Sequence, residues 1–551
     1  MWLNHLRQLF FGSRSTDSAH RGRVRPRRAC IRPVLELLED RLAPASGGAG
    51  GVAHAPIVIQ SDADFLSSKC VISGNGTVSS PYIIGPWSIN SGTGDAVFID
   101  GTNLTKSFVL YDLTIAGTPA PTSRGIVLSN INLPGKTPIL AKVSGPQTSI
   151  QNGSVGILVM NSNNVTLDGG GANPNGPGIS QPAGTINQNT VGAIDVENSS
   201  HITVTGWQLS ANGVDGQPDW LAFDPSLSAW GVGGVRFFGV TDSVIDHNSA
   251  NNCTSISYSL FNASHITVTE NTGDYPFTMN FLVTDGSSYN TLSNNIAGTA
   301  DFVGIMVADP LPGTWTLAEF GASHDNAIAS NVVHSSGPTG QERFASVAPA
   351  FVGGIVVLNG TYDNKIVNNQ AWANGGGDLA WAQAVPSATS PIGVLAATSR
   401  ATVLHCNVTA SEGGGGVQNL NGNIWMGNIA RTIDPCIPAQ STSASNPQIG
   451  SFTANPNPLT SGNSTTLTVS NITDTNPSAT ITQVAIYMDS NGDGKLDSGD
   501  ALIGYATQTS PGVWTLTYTV NLAPGTYTLF AQAQDNYGLF SDPFALSLTV
   551  Q

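Results

Sequence analysis

Asn290-Thr291-Leu292-Ser293-Asn294-Asn295 contains a phrase that recurs through the middle of the chain: an apolar residue followed three positions later by asparagine. It appears at Ile245/Asn248, Val268/Asn271, Leu292/Asn295, Ile328/Asn331, Ile366/Asn369, Leu404/Asn407 and Trp425/Asn428. Successive asparagines are 23, 24, 36, 38, 38 and 21 residues apart. The short intervals equal one coil of a parallel β-helix, and the long ones equal a coil plus an inserted loop. Several rungs carry another asparagine five positions earlier, at Asn290, Asn326, Asn364 and Asn423.

Asparagine suits the corner of a stacked coil. It tolerates the left-handed backbone of a tight turn, and its amide can bond both the turn backbone and the asparagine one coil away. Within each rung the apolar residue points inward and its neighbours outward, as strand alternation requires. A second strand precedes most of these asparagines, as in Gly234-Val235-Arg236-Phe237, Gly304-Ile305-Met306-Val307, Gly354-Ile355-Val356-Val357, Gly393-Val394-Leu395 and Gly416-Val417-Gln418. Two short strands per coil are therefore expected. Only 10% of residues are charged, which fits ladders of side chains about 4.8 Å apart, where like charges repel.

Residues 1–45 have a different composition. They hold nine of the 20 basic residues and four acids, against 11 basic and 32 acidic residues in the remainder. The segment ends in Leu35-Glu36-Leu37-Leu38-Glu39-Asp40-Arg41-Leu42-Ala43-Pro44-Ala45. It resembles the Leu-Glu-x-Leu-Glu-Asp-Arg leader of many large exported bacterial proteins, which implies an extracellular, cell-surface or periplasmic destination. The acidic remainder argues against nucleic acid as a partner. No apolar run reaches 18 residues, so no transmembrane helix is expected. Cys406 and Cys436 lie about one coil apart; a disulfide and two small buried thiols both fit them.

After a Pro- and Ser-rich joint at 436–446, residues 447–551 alternate like half-buried strands, for example Thr465-Thr466-Leu467-Thr468-Val469 and Trp514-Thr515-Leu516-Thr517-Tyr518. About seven strands in a hundred residues resemble an immunoglobulin-like sandwich. Between two of them lies Asp489-Ser490-Asn491-Gly492-Asp493-Gly494-Lys495-Leu496-Asp497-Ser498-Gly499-Asp500. Oxygen donors fall at Asp489, Asn491, Asp493, Asp497 and Asp500, with the Lys495 carbonyl between them and Gly494 at the sharp turn. Calcium takes six or more hard oxygens around one point, and this spacing wraps the chain around such a point. The twelve residues resemble the calcium loop of EF-hands and dockerins, with Asp500 where a bidentate Glu is usual. The resemblance implies a structural calcium site of weak affinity; a plain polar hairpin turn is the other reading.

The segment Gly74-Asn75-Gly76-Thr77-Val78-Ser79-Ser80-Pro81-Tyr82-Ile83-Ile84, followed by Trp87-Ser88-Ile89, resembles the opening of NosD-like proteins, periplasmic members of the pectin-lyase-like superfamily. That resemblance spans roughly residues 55–435 and implies an all-β fold, a right-handed parallel β-helix ahead of the small antiparallel sandwich. The founding members are linked to copper delivery. Here the histidines are scattered along the stack, whereas a soft metal needs thiolate, thioether or imidazole groups converging on one point. Copper handling is thus a second alternative only.

Polysaccharide is the partner class to weigh first. The outward positions beside the asparagines, Thr267, Thr269, Thr291, Ser293, Ala327, Ala329, Lys365, Val367 and His405, form a chemically quiet face. Asp285 and Asp309, 24 residues apart, are expected to stack on adjacent coils, either as a carboxylate pair or as members of a polar turn ladder with Asn262 and Asn359. With Arg236 they are the candidate catalytic residues. The insertions carry Trp220, Asp224 and Trp230; Trp315, Glu319 and Phe320; Glu342, Arg343 and Phe344; and Asp378 with Trp381. Aromatic rings beside carboxylates are what a sugar ring meets in a glycan groove; capping of the loops' apolar ends is the plainer role. The expectation is a monomeric exported protein that engages polysaccharide or cell-surface glycan without turnover, with a β-helix lyase or glycoside hydrolase as the alternative.

Overall fold

The computed structural model describes residues 51–430 and 445–551, apart from 174–175, 181, 214–232, 254–255, 277–278, 301–302, 309–321, 337–352, 359–360, 373, 375–378, 384–403, 406–423, 427, 477–478, 491, 493 and 497–499. The chain is all-β: a parallel β-helix followed by a small antiparallel sandwich. Among the described residues the β-helix has three sheets of 12 strands each. Each coil therefore contributes three strands rather than two. The third is short and polar, as in Ser249–Asn251 and Thr272–Asp274, and so has little apolar signature.

In chain order, sheet I runs from Ile57–Ile59 to Leu379–Gln383 and ends on Leu404–His405. Sheet II runs from Val71–Ser73 to Ile424–Met426, and sheet III from Val52–His54 to Ile429–Ala430. Register holds from coil to coil. In sheet I, Ile126, Ile157, Ile194, Val235, Tyr258, Phe281, Ile305 and Ile355 form one continuous column. In sheet II, Leu167, Val204, Ile245, Val268, Leu292, Ile328 and Ile366 form another. All lie in the core, and each buried side chain contributes about 1.5–3 kcal/mol.

The asparagine ladder forms. Asn271 Nδ2 donates to Ile245 O, Thr269 O and Asn295 Oδ1 at 2.8, 2.8 and 3.1 Å, and the series continues through Asn331, Asn369 and Asn428. The earlier asparagines of each rung form a second ladder, Asn290–Asn326–Asn364. Two expectations change. The left-handed backbone belongs to the residue before each ladder asparagine, at His247, Glu270, Asn294, Ser330 and Asn368. That leaves the asparagine free to point its amide inward. Asn369 bonds directly to Asn428, 59 residues on, so Leu404/Asn407 is not a rung. Leu404–His405 instead pairs antiparallel with Leu379–Gln383 on sheet I, which removes His405 from the quiet outward column. Asn407, Asn423, Cys406 and Cys436 lie outside the described residues.

The sandwich pairs Ser451–Asn455, Ser464–Ser470, Val513–Thr519 and Thr507–Ser510 in one sheet. Ala501–Tyr505, Ile481–Met488, Gly525–Asp535 and Phe544–Val550 make the other. Phe452, Leu467, Val469 and Trp514 face Val484, Ile486, Leu529, Ala531 and Leu548 in one core. The sandwich does not hang free. Its Tyr537 and Leu539 pack on Ala329 and Val367 of sheet II, so the quiet face is a docking face.

Candidate functional site

Two polar clusters and one aromatic strip stand out on the β-helix. The first cluster follows from sheet I register, which sets Arg236 opposite Asp195 on the preceding coil. Arg236 Nε donates to Asp195 Oδ1 at 2.9 Å and Nη2 to Asp195 Oδ2 at 2.8 Å; Nη2 also reaches Glu197 Oε1 at 2.5 Å. The guanidinium lies 5.5 Å from the Phe238 ring centroid. Its side chain is 1% exposed and that of Asp195 0%, while Glu197 keeps 14%. Burial works to lower the Arg236 pKa, but the charges and hydrogen bonds of Asp195 and Glu197 prevail and raise it. Glu197 is pushed up to about 7, by burial first and by Asp195 second, against the pull of Arg236. Ser259, in register with Arg236 on the next coil, is buried, and its hydroxyl has no hydrogen-bond partner among the described residues.

Arg236 is therefore an internal counter-ion, shielded from solvent. Asp285 is likewise buried, at 1% exposure. It occupies a turn column with Asn161, Asn198, Gly239 and Asn262, all at positive φ, which is the polar turn ladder reading. Asp309 and Asn359 lie outside the described residues, as do Trp220, Asp224, Trp230, Trp315, Glu319, Phe320, Glu342, Arg343, Phe344 and Asp378. Trp381 falls on a strand of sheet I, paired with Val357, and so is not an insertion-loop residue.

The second cluster sits where sheet II turns into sheet III. His247 Nδ1 lies 3.0 Å from Asp246 Oδ2, and its Nε2 contacts Glu270 Oε2. Burial lowers the imidazole's proton affinity, yet the two carboxylates outweigh it and hold the pKa up at about 9.

The strip lies at the entry to sheet II. Ser264, Ser288, His324 and Tyr362 bridge in sequence from coil to coil, and the rings of His265, Tyr289, His324 and Tyr362 touch in the same order. His265 stacks on Tyr289 at 5.4 Å; Tyr289 meets His324 edge-on at 5.8 Å; His324 stacks on Tyr362 at 4.7 Å. Tyr289 is 54% and Tyr362 39% exposed. Asp325 holds His324 Nδ1 at 2.9 Å and lies 3.8 Å from Lys365 Nζ. Sequence reasoning passed over this strip. Its signal was present: aligned on Asn290, Asn326 and Asn364, the two preceding positions read Ser288-Tyr289, His324-Asp325 and Tyr362-Asp363.

At the calcium-like loop, strands Ile481–Met488 and Ala501–Tyr505 flank the turn, as the sequence implies. Asp489 accepts from the amides of Gly492 at 2.6 Å and Gly494 at 3.1 Å, and Asp500 Oδ1 accepts from Ser490 N at 3.0 Å. Gly492 and Gly494 have φ of 74° and 76°. Asn491, Asp493 and Asp497 lie outside the described residues.

No family model and no curated protein matches the chain. Among solved structures, the Dettilon tailspike protein gp208 is similar at 10% identity over 87% of this chain and 86% of that one, with a TM-score of 0.37. The enzymatically active domain of bacteriophage CBA120 tailspike protein 2 is similar at 9% identity over 90% and 71%, with a TM-score of 0.38. A superoxide reductase (neelaredoxin) from Ignicoccus hospitalis matches 20% of this chain and 82% of its own at 15% identity and a TM-score of 0.14. Superpositions this loose carry no residue across, and the functional reading rests on the chain's own geometry.

Proposed function

We propose that this chain is an exported β-helix protein, cell-surface or secreted, that engages polysaccharide without turning it over. The observation that carries the reading is the exposed strip His265–Tyr289–His324–Tyr362. It repeats once per coil, so it matches a ligand that is itself a linear repeat. Tyrosine and histidine present an apolar ring with a polar tip. That is the pair of surfaces a sugar needs, C–H patches against rings and hydroxyls against phenol, imidazole and the neighbouring Asp325, Asp363 and Lys365. The burial of Arg236 and Asp285 argues against chemistry at those positions.

A second reading has one observation in its favour. Glu197, held near pKa 7 beside Asp195, has the proton affinity of a general acid in glycoside cleavage. Glycan-array screening followed by a product assay on the hits separates the two. Binding weakened about tenfold by Tyr289→Ala or Tyr362→Ala, with no reducing or unsaturated ends released, supports the binder. Turnover abolished by Glu197→Gln establishes the enzyme instead.

We propose that the Asp489–Asp500 loop is a calcium site that stiffens an immunoglobulin-like sandwich. The turn of Asp489 and Asp500 into the same loop, and the positive φ of its glycines, support that donor set. The export leader and the NosD-like relationship belong to the same reading, the latter supported by the turn between Val71–Ser73 and Tyr82–Ile84, where Gly74 and Gly76 have φ of 88° and 77°.

A further inference from the structure

Among the described residues the turn Asp535 to Leu539 packs against sheet II. A Cβ built on Gly538 would lie 2.9 Å from Ala327 Cβ and 3.1 Å from Thr291 Cγ2, so the backbone itself rests on the β-helix. Gln534 Nε2 reaches Thr291 Oγ1 at 3.4 Å. Tyr537 and Leu539 bury their side chains on Ala329 and Val367. One carboxyl group shapes this turn. Asp535 Oδ1 accepts from the amides of Tyr537 at 2.9 Å and Leu539 at 2.8 Å, and its Oδ2 accepts from Asn476 Nδ2 at 3.2 Å.

Asp474 lies within hydrogen-bonding reach of Asp535. Its Oδ1 accepts from Asn476 N at 2.8 Å, while its Oδ2 is buried with no donor among the described residues. Two ionised carboxylates offer acceptors only. A hydrogen bond between them needs one proton, and without it two negative charges face each other in a desolvated joint.

The surrounding groups do not relieve that repulsion. Asn476 and Tyr537 lie beside the pair in the sandwich, and Thr291, Ala327, Ala329 and Val367 are the β-helix residues against Gln534 and the turn. None of these is a cation. Among the described residues no Lys, Arg or His forms an ion pair with either carboxylate.

We propose that Asp474 and Asp535 share a proton that latches the sandwich to the β-helix, so that the joint is tight in mildly acidic surroundings and loosens above neutrality. Burial, with Asp474 adding to it, pushes Asp535 up to about 7. Since the folded value lies above the unfolded one, this contribution is complete below the ordinary carboxylate range and is lost as pH rises through about 7. The His247 cluster, whose Asp246 lies within electrostatic reach of the sandwich tyrosines Tyr487 and Tyr505, keeps its imidazolium in that window. His247, held near 9, stays charged between Asp246 and Glu270.

Hydrogen exchange on the whole chain between pH 5.5 and 9, corrected for the intrinsic chemical rate, tests the latch. The amides of residues 535–539 and of Lys365–Val367 are expected to lose protection about tenfold per pH unit above 7, while Ile126–Ser129 stays unchanged. In Asp474→Asn the amide donates to Asp535 without a proton, and the seam is expected to stay protected at every pH. A wild-type profile flat across pH 7 overturns the proposal on its own. So does a slope that survives in Asp474→Asn, and so does a seam opened at all pH values by a chelator, which would put a cation where the proton is placed.

Discussion

The β-helix and the sandwich are both built of strands, yet polar groups play opposite parts in their interiors. In the sandwich the core is apolar, and each residue answers only to its own neighbours. In the β-helix a column of buried amides runs beside the apolar columns, and each asparagine completes hydrogen bonds for the coil before it and the coil after it. Damage to a solenoid should therefore spread along the stack, whereas damage to the sandwich should stay local.

Asn331→Ala is the sharpest way to break that contrast. The side chain accepts from Asn295 N and Nδ2 and donates to Leu292 O and Asn369 Oδ1. Each buried group left orphaned costs about 1–3 kcal/mol, so a loss above about 4 kcal/mol is expected in denaturant melts. Exchange should rise in both flanking coils but not in Val513–Thr519. Arg236→Ala comes next, at about 3–5 kcal/mol, because it strands the buried Asp195 carboxylate and the half-buried Glu197. Asp195→Ala added to it should recover part of the loss. Leu467→Ala, in the sandwich core, should cost about 2–5 kcal/mol and leave exchange in the β-helix unchanged. Tyr289→Ala should shift stability by no more than about 0.5 kcal/mol while weakening glycan binding, the signature of an outward column that the fold does not need.

What could be read in the sequence follows the same division. The asparagine ladder was legible because one residue type recurs from coil to coil between Asn248 and Asn428, and the inward column because alternation is strict there. The strip was not, since serine, histidine, tyrosine and aspartate share its two columns and no single letter repeats. The step from Asn369 to Asn428 was hidden by a local copy of the phrase at Leu404/Asn407, whose strand pairs with sheet I instead. Local pattern names a candidate rung, and only register decides which candidates stack. Arg236 looked available for chemistry because the sequence does not show Asp195, 41 residues earlier, lying opposite it.

The most direct test of the proposed function is a hydrogen-exchange footprint of the intact chain with and without a glycan selected from the array. The expected result is protection at His265, Tyr289, His324 and Tyr362, recurring once per coil and absent from the strands between. Protection confined to a single coil, or centred on Glu197 and accompanied by product release, would contradict it.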